Sequence, residues 1–286
     1  HLDYLKELGV DVIWLSPIYK SPNDDNGYDI SDYKGIMSEF GTMNDFDQLL
    51  SSIHQRGMKL ILDLVVNHTS DEHPWFIESK SSKTNAKRDW YIWADPKPDG
   101  SEPNNWESIF NGSTWEFDES TKQYYFHLFS KKQPDLNWEN PDVRQAVFEM
   151  MNWWFEKGID GFRVDAITHI KKNFEAGDLP VPDGKKFAPA FDVDMNQPGI
   201  QEWLQEMKDK SLSRYDIMTV GEANGVTPND AEEWVGEENG KFNMIFQFEH
   251  LGLWSTGDTK FDVKSYKQVL NRWQKQLENV GWNALF

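Results

Sequence analysis

The strongest constraint on this chain is a rhythm: short apolar runs alternate with amphipathic helical stretches. The spacing predicts strands over 12–16, 60–66, 161–166, 217–222, 244–248 and 282–286. Between the first two, Phe46, Leu49, Leu50 and Ile53 recur with helical period, and Gly57 ends the helix. Asn140 before Pro141 reads as a cap followed by a first helical residue, and Val143, Val147, Met150, Met151 and Trp154 then form one face up to Gly158. Two more helices are predicted, over 201–210 and 264–277. Such alternation calls for an α/β fold with a parallel sheet, either doubly wound or a (β/α)8 barrel. No glycine-rich phosphate loop opens any helix, which disfavours the nucleotide-binding version.

One stretch breaks the rhythm. Residues 69–139 are far too many for a βα loop and are rich in Trp, Tyr, Asn, Asp and Ser. With strand-like patches over 88–93 and 123–128, they read as a small β-containing subdomain inserted between the two parts, 1–68 and 140–286, of the α/β domain. Leu2, Leu5 and Leu8 place a helix at the very start, before Gly9. The chain does not open with Met and shows no signal-peptide pattern, so both ends read as cuts through a longer protein.

Composition narrows the function. The net charge of −19 repels phosphate backbones and anionic lipid, so neither nucleic acid nor membrane is an expected partner. The absence of cysteine excludes disulfides, thiolate metal sites and cysteine nucleophiles, and is compatible with a cytoplasmic location. A 14% aromatic content suits the stacking of flat sugar faces, with Tyr28, Trp75, Trp106 and Phe110 set among polar loop residues.

Polar groups gather where the predicted strands end. Asn67 and His68 follow one strand, Arg163 and Asp165 lie two apart on one face of another, and Glu222 closes a third. A guanidinium beside Asp165 favours its ionised form, as a nucleophile requires, and Glu222 supplies a second acid. Two carboxyls with divided roles are the minimum for cleaving an acetal. Singly, each has an ordinary structural reading, as a helix cap, a structural histidine or a buried ion pair. The stretch from His68 to His73 has one residue too many for an inverted zinc-peptidase pattern, so no metal is expected there.

Four motifs occur together and in order: Asp63-Leu64-Val65-Val66-Asn67-His68, Gln133-Pro134-Asp135-Leu136-Asn137, Gly161-Phe162-Arg163-Val164-Asp165-Ala166 and Gly221-Glu222-Ala223. The chain thereby resembles the α-amylase superfamily, glycoside hydrolase family thirteen. The stretches 21–30 and 246–250, with Gln133 to Asn137, resemble its oligo-1,6-glucosidase and α-glucosidase branch. The resemblance implies a (β/α)8 TIM barrel, here incomplete, with strands two to seven and the subdomain inserted after strand three. It implies a retaining mechanism with Asp165 as nucleophile and Glu222 as general acid/base. By the same resemblance His68 and Arg163 hold the donor glucose, Asp25 binds its far hydroxyls, Tyr28 stacks on it, Phe110 lines the pocket and Asp63 orients Arg163. A pocket closed at one end implies exo action on a small oligosaccharide, by a monomer. No cofactor is implied in this chain, and a structural calcium would belong to a loop on the missing first strand.

Departures refine the expectation. Thr168-His169 stands where endo-acting members carry Lys-His, and Ala166 follows the nucleophile where α-1,6-preferring members commonly carry valine. Hydrolysis of α-1,4 linkages, as in maltose, is therefore expected, with an α-1,6 glucosidase, a same-branch sugar isomerase or a non-enzymatic transporter-associated glycoprotein as alternatives. The last typically loses the catalytic acids, which are present here. The family's third carboxylate, in an Asn-His-Asp run, is absent, because the one Asn-His pair continues into Thr69.

Overall fold

A computed structural model describes residues 1–254, 262–278 and 280–281. The strands, in chain order, are β1 (Val12–Trp14), β2 (Tyr19–Lys20), β3 (Asp32–Ile36), β4 (Lys59–Val65), β5 (Trp93–Ala94), β6 (Trp115–Asp118), β7 (Gln123–Phe126), β8 (Gly161–Asp165), β9 (Met218–Glu222) and β10 (Met244–Phe246). The helices are α1 (Leu2–Glu7), α2 (Met43–Gln55), α3 (Pro74–Ser81), α4 (Pro141–Lys157), α5 (Phe191–Asp194), α6 (Ile200–Lys210), α7 (Ala231–Val235) and α8 (Val263–Leu277), with short 3-10 turns between.

Five strands form one parallel sheet in the order β1-β4-β8-β9-β10. The central β4 and β8 are buried almost throughout: β4 reads as a nearly continuous apolar run interrupted by Asp63, whereas β8 alternates Phe162 and Val164 with Arg163 and Asp165. The predicted strand over 282–286 lies outside the described residues. Gly161 opens β8 so close to β9 that a Cβ there would lie 1.7 Å from the Met218 carbonyl oxygen.

Helix ends follow their sequence signals. Thr42 and Asp45 form a reciprocal capping box before α2, which buries Phe46, Leu50 and Ile53. The Asn140 side chain caps α4 ahead of Pro141, and Gly158 ends it with φ 100°. The face of α4 lies on the sheet, and the Trp154 indole donates to the Tyr33 carbonyl at 2.9 Å.

Within residues 69–139, β5, β7 and β6 pair as an antiparallel sheet around Trp106, Trp115 and Phe126. The patch over 88–93 is a strand only in its second half: Arg88–Trp90 makes a 3-10 turn, whereas Tyr91 bridges to Leu136 and Trp93 opens β5 opposite Tyr125. β6 was not predicted, since its four residues carry no alternation long enough to register. The inserted sheet also takes in residues from beyond β8. Ala188 bridges to Trp106, the Trp106 indole donates to the Gly177 carbonyl, and Phe174 stacks on the Trp106 ring. Among the described residues no helix is long and apolar enough to cross a membrane.

Candidate active site

Parallel register does the first part of the assembly. Asp63 on β4 and Arg163 on β8 are direct cross-strand partners, as are Val65 and Asp165, while Glu222 ends the adjacent β9. Arg163 therefore points into a ring of acids. Its Nη1 donates to Asp63 Oδ1 at 2.9 Å and to Asp165 Oδ1 at 2.6 Å, and its Nη2 donates to Glu222 Oε2. Glu222 Oε2 also accepts the Ala166 N–H at 3.2 Å. Ala166 reaches it from a left-handed conformation, φ 44°, that costs an alanine roughly 1 kcal/mol. Backbone strain of this kind sits where the chain leaves β8, just after Asp165.

Asp63 is a hub of its own. Its Oδ2 accepts the Tyr28 hydroxyl at 3.0 Å and the Trp14 indole at 3.2 Å, and its backbone carbonyl accepts the Tyr19 hydroxyl at 2.7 Å. Burial, then the Asp63 charge, raises Tyr28 well above the ordinary phenol value, so it donates as a neutral hydroxyl. Trp14 and Tyr28 also face the guanidinium, 5.2 and 5.8 Å from its centre.

Three carboxyls share one guanidinium, and the electrostatics follow. Burial, then the charge of Glu222, pushes Asp165 well above the usual carboxylate range, with Arg163 pulling the other way. The expectation that Arg163 keeps this carboxyl ionised meets opposition: desolvation and a second acid outweigh the guanidinium. Burial also works to discharge Arg163, but Asp63, Asp165 and Glu222 outweigh it and hold the guanidinium charged. Asp63 is pushed up to about 6 by burial, against Arg163, Tyr28 and Trp14. Its folded value exceeds the free value of 3.8, so its stabilising proton is fully held below that pH and lost as pH rises through about 6. Asp63→Asn has no such proton to lose. Between about pH 4 and about pH 7.5 the wild type is therefore expected to lose stability relative to this variant. Urea midpoints of both proteins at the two pH values measure the difference, and a pH-independent gap would contradict it.

His68 is buried beside this ring. Its Nδ1 lies 3.2 Å from Asn67 Nδ2 and its Nε2 lies 3.1 Å from the Tyr28 carbonyl, so the tautomer with hydrogen on Nε2 satisfies both. Burial lowers its basicity, against the charge of Asp135, which favours this neutral form. Gln133 Nε2 donates to Asp25 Oδ2 at 3.0 Å and lies 3.1 Å from His68 Nε2, a contact of two donors in this tautomer and no hydrogen bond, and so brings Asp25 to the same place. Beneath them Asp135 and Lys172 form a buried ion pair of 2.7 Å, and both bond Asn67.

Of the residues singled out from sequence, Asp63, Arg163, Asp165, Glu222 and Tyr28 form one contact network, joined by His68 and, through Gln133, by Asp25. Phe110 stands further out, half exposed, with its ring 5.7 Å from Phe129. Phe129 is the aromatic residue against His68, at 5.1 Å. Sequence reasoning missed Phe129, Trp14, Gln133 as a contact and Lys172. Gln133 was visible inside its motif, but the others carried no local signal. On the open side of Glu222 lies a cleft of about 840 Å³, lined by Phe191, Met195, Asn224, Val226, Phe248 and Leu251. Among the described residues no group of three or more His, Cys, Asp or Glu could hold a metal ion.

Two acids joined through one arginine at the ends of parallel strands can attack an acetal carbon and protonate its leaving oxygen. Residues 1–286, the whole chain, match the alpha-amylase catalytic-domain family. The chain belongs to the α-amylase family. Its curled parallel sheet is part of that family's (β/α)8 barrel. It is similar to "Probable oligo-1,6-glucosidase 3" of Bacillus subtilis (strain 168), 63% identical over 286 residues, covering 100% of this chain and 51% of the relative. An oligo-1,6-glucosidase of Parageobacillus thermoglucosidasius is 58% identical over 290 residues, with the same coverage of 100% and 51%. Among solved structures, trehalose-6-phosphate hydrolase from Bacillus licheniformis superposes with a TM-score of 0.93 at 49% identity, over 100% of this chain and 51% of that one. The chain thus spans about half the length of these relatives.

Proposed function

We propose that the protein carrying this chain is a retaining, exo-acting α-glucosidase that releases terminal glucose from short α-1,6-linked oligosaccharides. The observation that carries this reading is the single guanidinium of Arg163 hydrogen-bonded to both Asp165 and Glu222. In this reading the Asp165 carboxylate attacks the anomeric carbon as Glu222 gives its proton to the leaving oxygen. Glu222 then takes a proton from water, which cleaves the glycosyl ester with net retention. Arg163 and His68 hold the glucose, Asp63 orients Arg163, Tyr28 stacks on the ring, and Asp25 takes the distal hydroxyls. Phe129 packs against His68 and would line the pocket together with Phe110, whose ring it meets at 5.7 Å.

The linkage reading departs from the α-1,4 expectation. The relatives at 63% and 58% identity are named for 1,6 linkages. Ala166 does not line the cleft beside Glu222, whose wall includes Met195, Asn224 and Val226. One small side chain after the nucleophile is a weak guide to linkage when other residues form the leaving-group wall. In the full-length protein kcat/KM on isomaltose is expected to exceed that on maltose by about tenfold or more, a difference of roughly 1.4 kcal/mol in transition-state binding. NMR of freshly released glucose should show the α anomer first. Preference for maltose would overturn the linkage, and initial release of the β anomer would overturn the retaining mechanism.

A further inference from the structure

The loop that presents Asp25 and Tyr28 is wound around a carboxylate that the reaction does not use. Asp29 is fully buried. Its Oδ1 accepts the Ser21 hydroxyl at 2.9 Å and the Asp25 N–H at 3.1 Å, and its Oδ2 accepts the Asp24 N–H at 2.8 Å. All three donors are neutral. The loop needs such an anchor because Asn23, Asn26 and Gly27 all take left-handed backbone conformations, with φ of 65°, 50° and 93°. The turn closes on itself where the Tyr28 N–H donates to the Asp25 carbonyl at 2.9 Å. Its outer side meets the inserted segment: Asp24 accepts the Ser130 hydroxyl at 3.0 Å, and Asp25 accepts Gln133 Nε2 at 3.0 Å.

We propose that Asp29 is a positioning residue for the glucose pocket: its carboxylate gathers the N–H groups of Asp24 and Asp25 and so fixes where the Asp25 carboxylate stands. The proposal rests on the reading of Asp25 as a pocket residue. The chemistry demands a carboxylate and not merely a side chain of that size. In an amide of the same shape one of the two positions becomes an N–H₂ group. Whichever way it is turned, the backbone N–H of Asp24 or of Asp25 then faces a donor and is left without an acceptor. The gain from a preformed loop is uniform binding of the sugar, so loss of order should appear in KM before kcat.

The test is a double-mutant cycle in the full-length protein with amide hydrogen exchange beside it. Asp29→Asn is expected to lower kcat/KM on isomaltose about thirtyfold, mostly through KM, with kcat changed less than about threefold. In an Asp25→Ala background the same substitution is expected to cost less than about threefold, because its effect runs through Asp25. Exchange of the amides of residues 23–28 should quicken by about tenfold or more while β4 and β8 keep their protection. An equal loss in both backgrounds would mean that Asp29 supports the fold generally, and unchanged exchange would mean that it does not order the loop. Either overturns the proposal. An Asp25→Ala variant of undiminished kcat/KM sinks the pocket reading of Asp25 instead, and the exchange measurement still decides whether Asp29 orders the loop.

Discussion

Asp165→Asn in the full-length protein is expected to lower kcat/KM on an α-glucoside by about 10⁴-fold or more, with the fold intact. An amide keeps an oxygen for Arg163 Nη1, now 2.6 Å from Asp165 Oδ1, so the guanidinium keeps a partner on that side. What disappears is the anion that would form the glycosyl ester. The variant should also melt no lower than wild type. Burial and the charge of Glu222 both act against an ionised Asp165, and a neutral side chain removes that conflict. Activity within about tenfold of wild type would remove Asp165 from the role of nucleophile. A large fall in melting temperature would make it a structural member of the buried cluster instead.

Glu222→Gln is expected to lose activity according to the leaving group. The second glucose of isomaltose leaves as a poorly acidic alcohol whose oxygen must be protonated, so kcat/KM should fall about 10³- to 10⁴-fold. A glucoside of an acidic phenol needs no proton on departure, so its first step should be spared much of that loss, with the glycosyl ester accumulating as a burst. Glu222 is suited to this task because it borders the cleft where a leaving group would stand, while the Ala166 N–H and Arg163 hold its Oε2. Equal losses on the two substrates, without a burst, would mean that Glu222 acts on the cluster electrostatically and does not transfer the proton. The two variants are complementary, one blocking ester formation and the other its protonated departure and hydrolysis.

Much of the fold could be read locally. The helix over Phe46 to Ile53 and the helix from Pro141 appear where capping residues and apolar period placed them, because those signals act within a few residues. The strands around Arg163 and Glu222 were found for the same reason. The hairpin of β2 and β3 was missed, since two to five residues hold too little pattern to stand out. The 88–93 patch misled in its first half, where Arg88–Trp90 turns as a 3-10 helix and Arg88 packs on Trp93, while Tyr91 and Trp93 do pair with neighbouring strands. Trp14 and Phe129 were invisible as site residues: each is an aromatic among many until folding sets it against Asp63 or His68.

The sequence by itself determined the order of elements and the ordered motifs that identify the family, because period, capping and motif spacing are properties of neighbouring residues. Only the tertiary structure decided that Arg163 meets three acids, that Asp165 is pushed upward although an arginine touches it, and that Asp29 stands at the centre of the loop bearing Asp25. Those facts depend on strand register between residues as far apart as Asp63 and Arg163, and on how completely water is excluded around them. Register across the sheet and burial are outcomes of packing the whole chain, and no local pattern encodes either one.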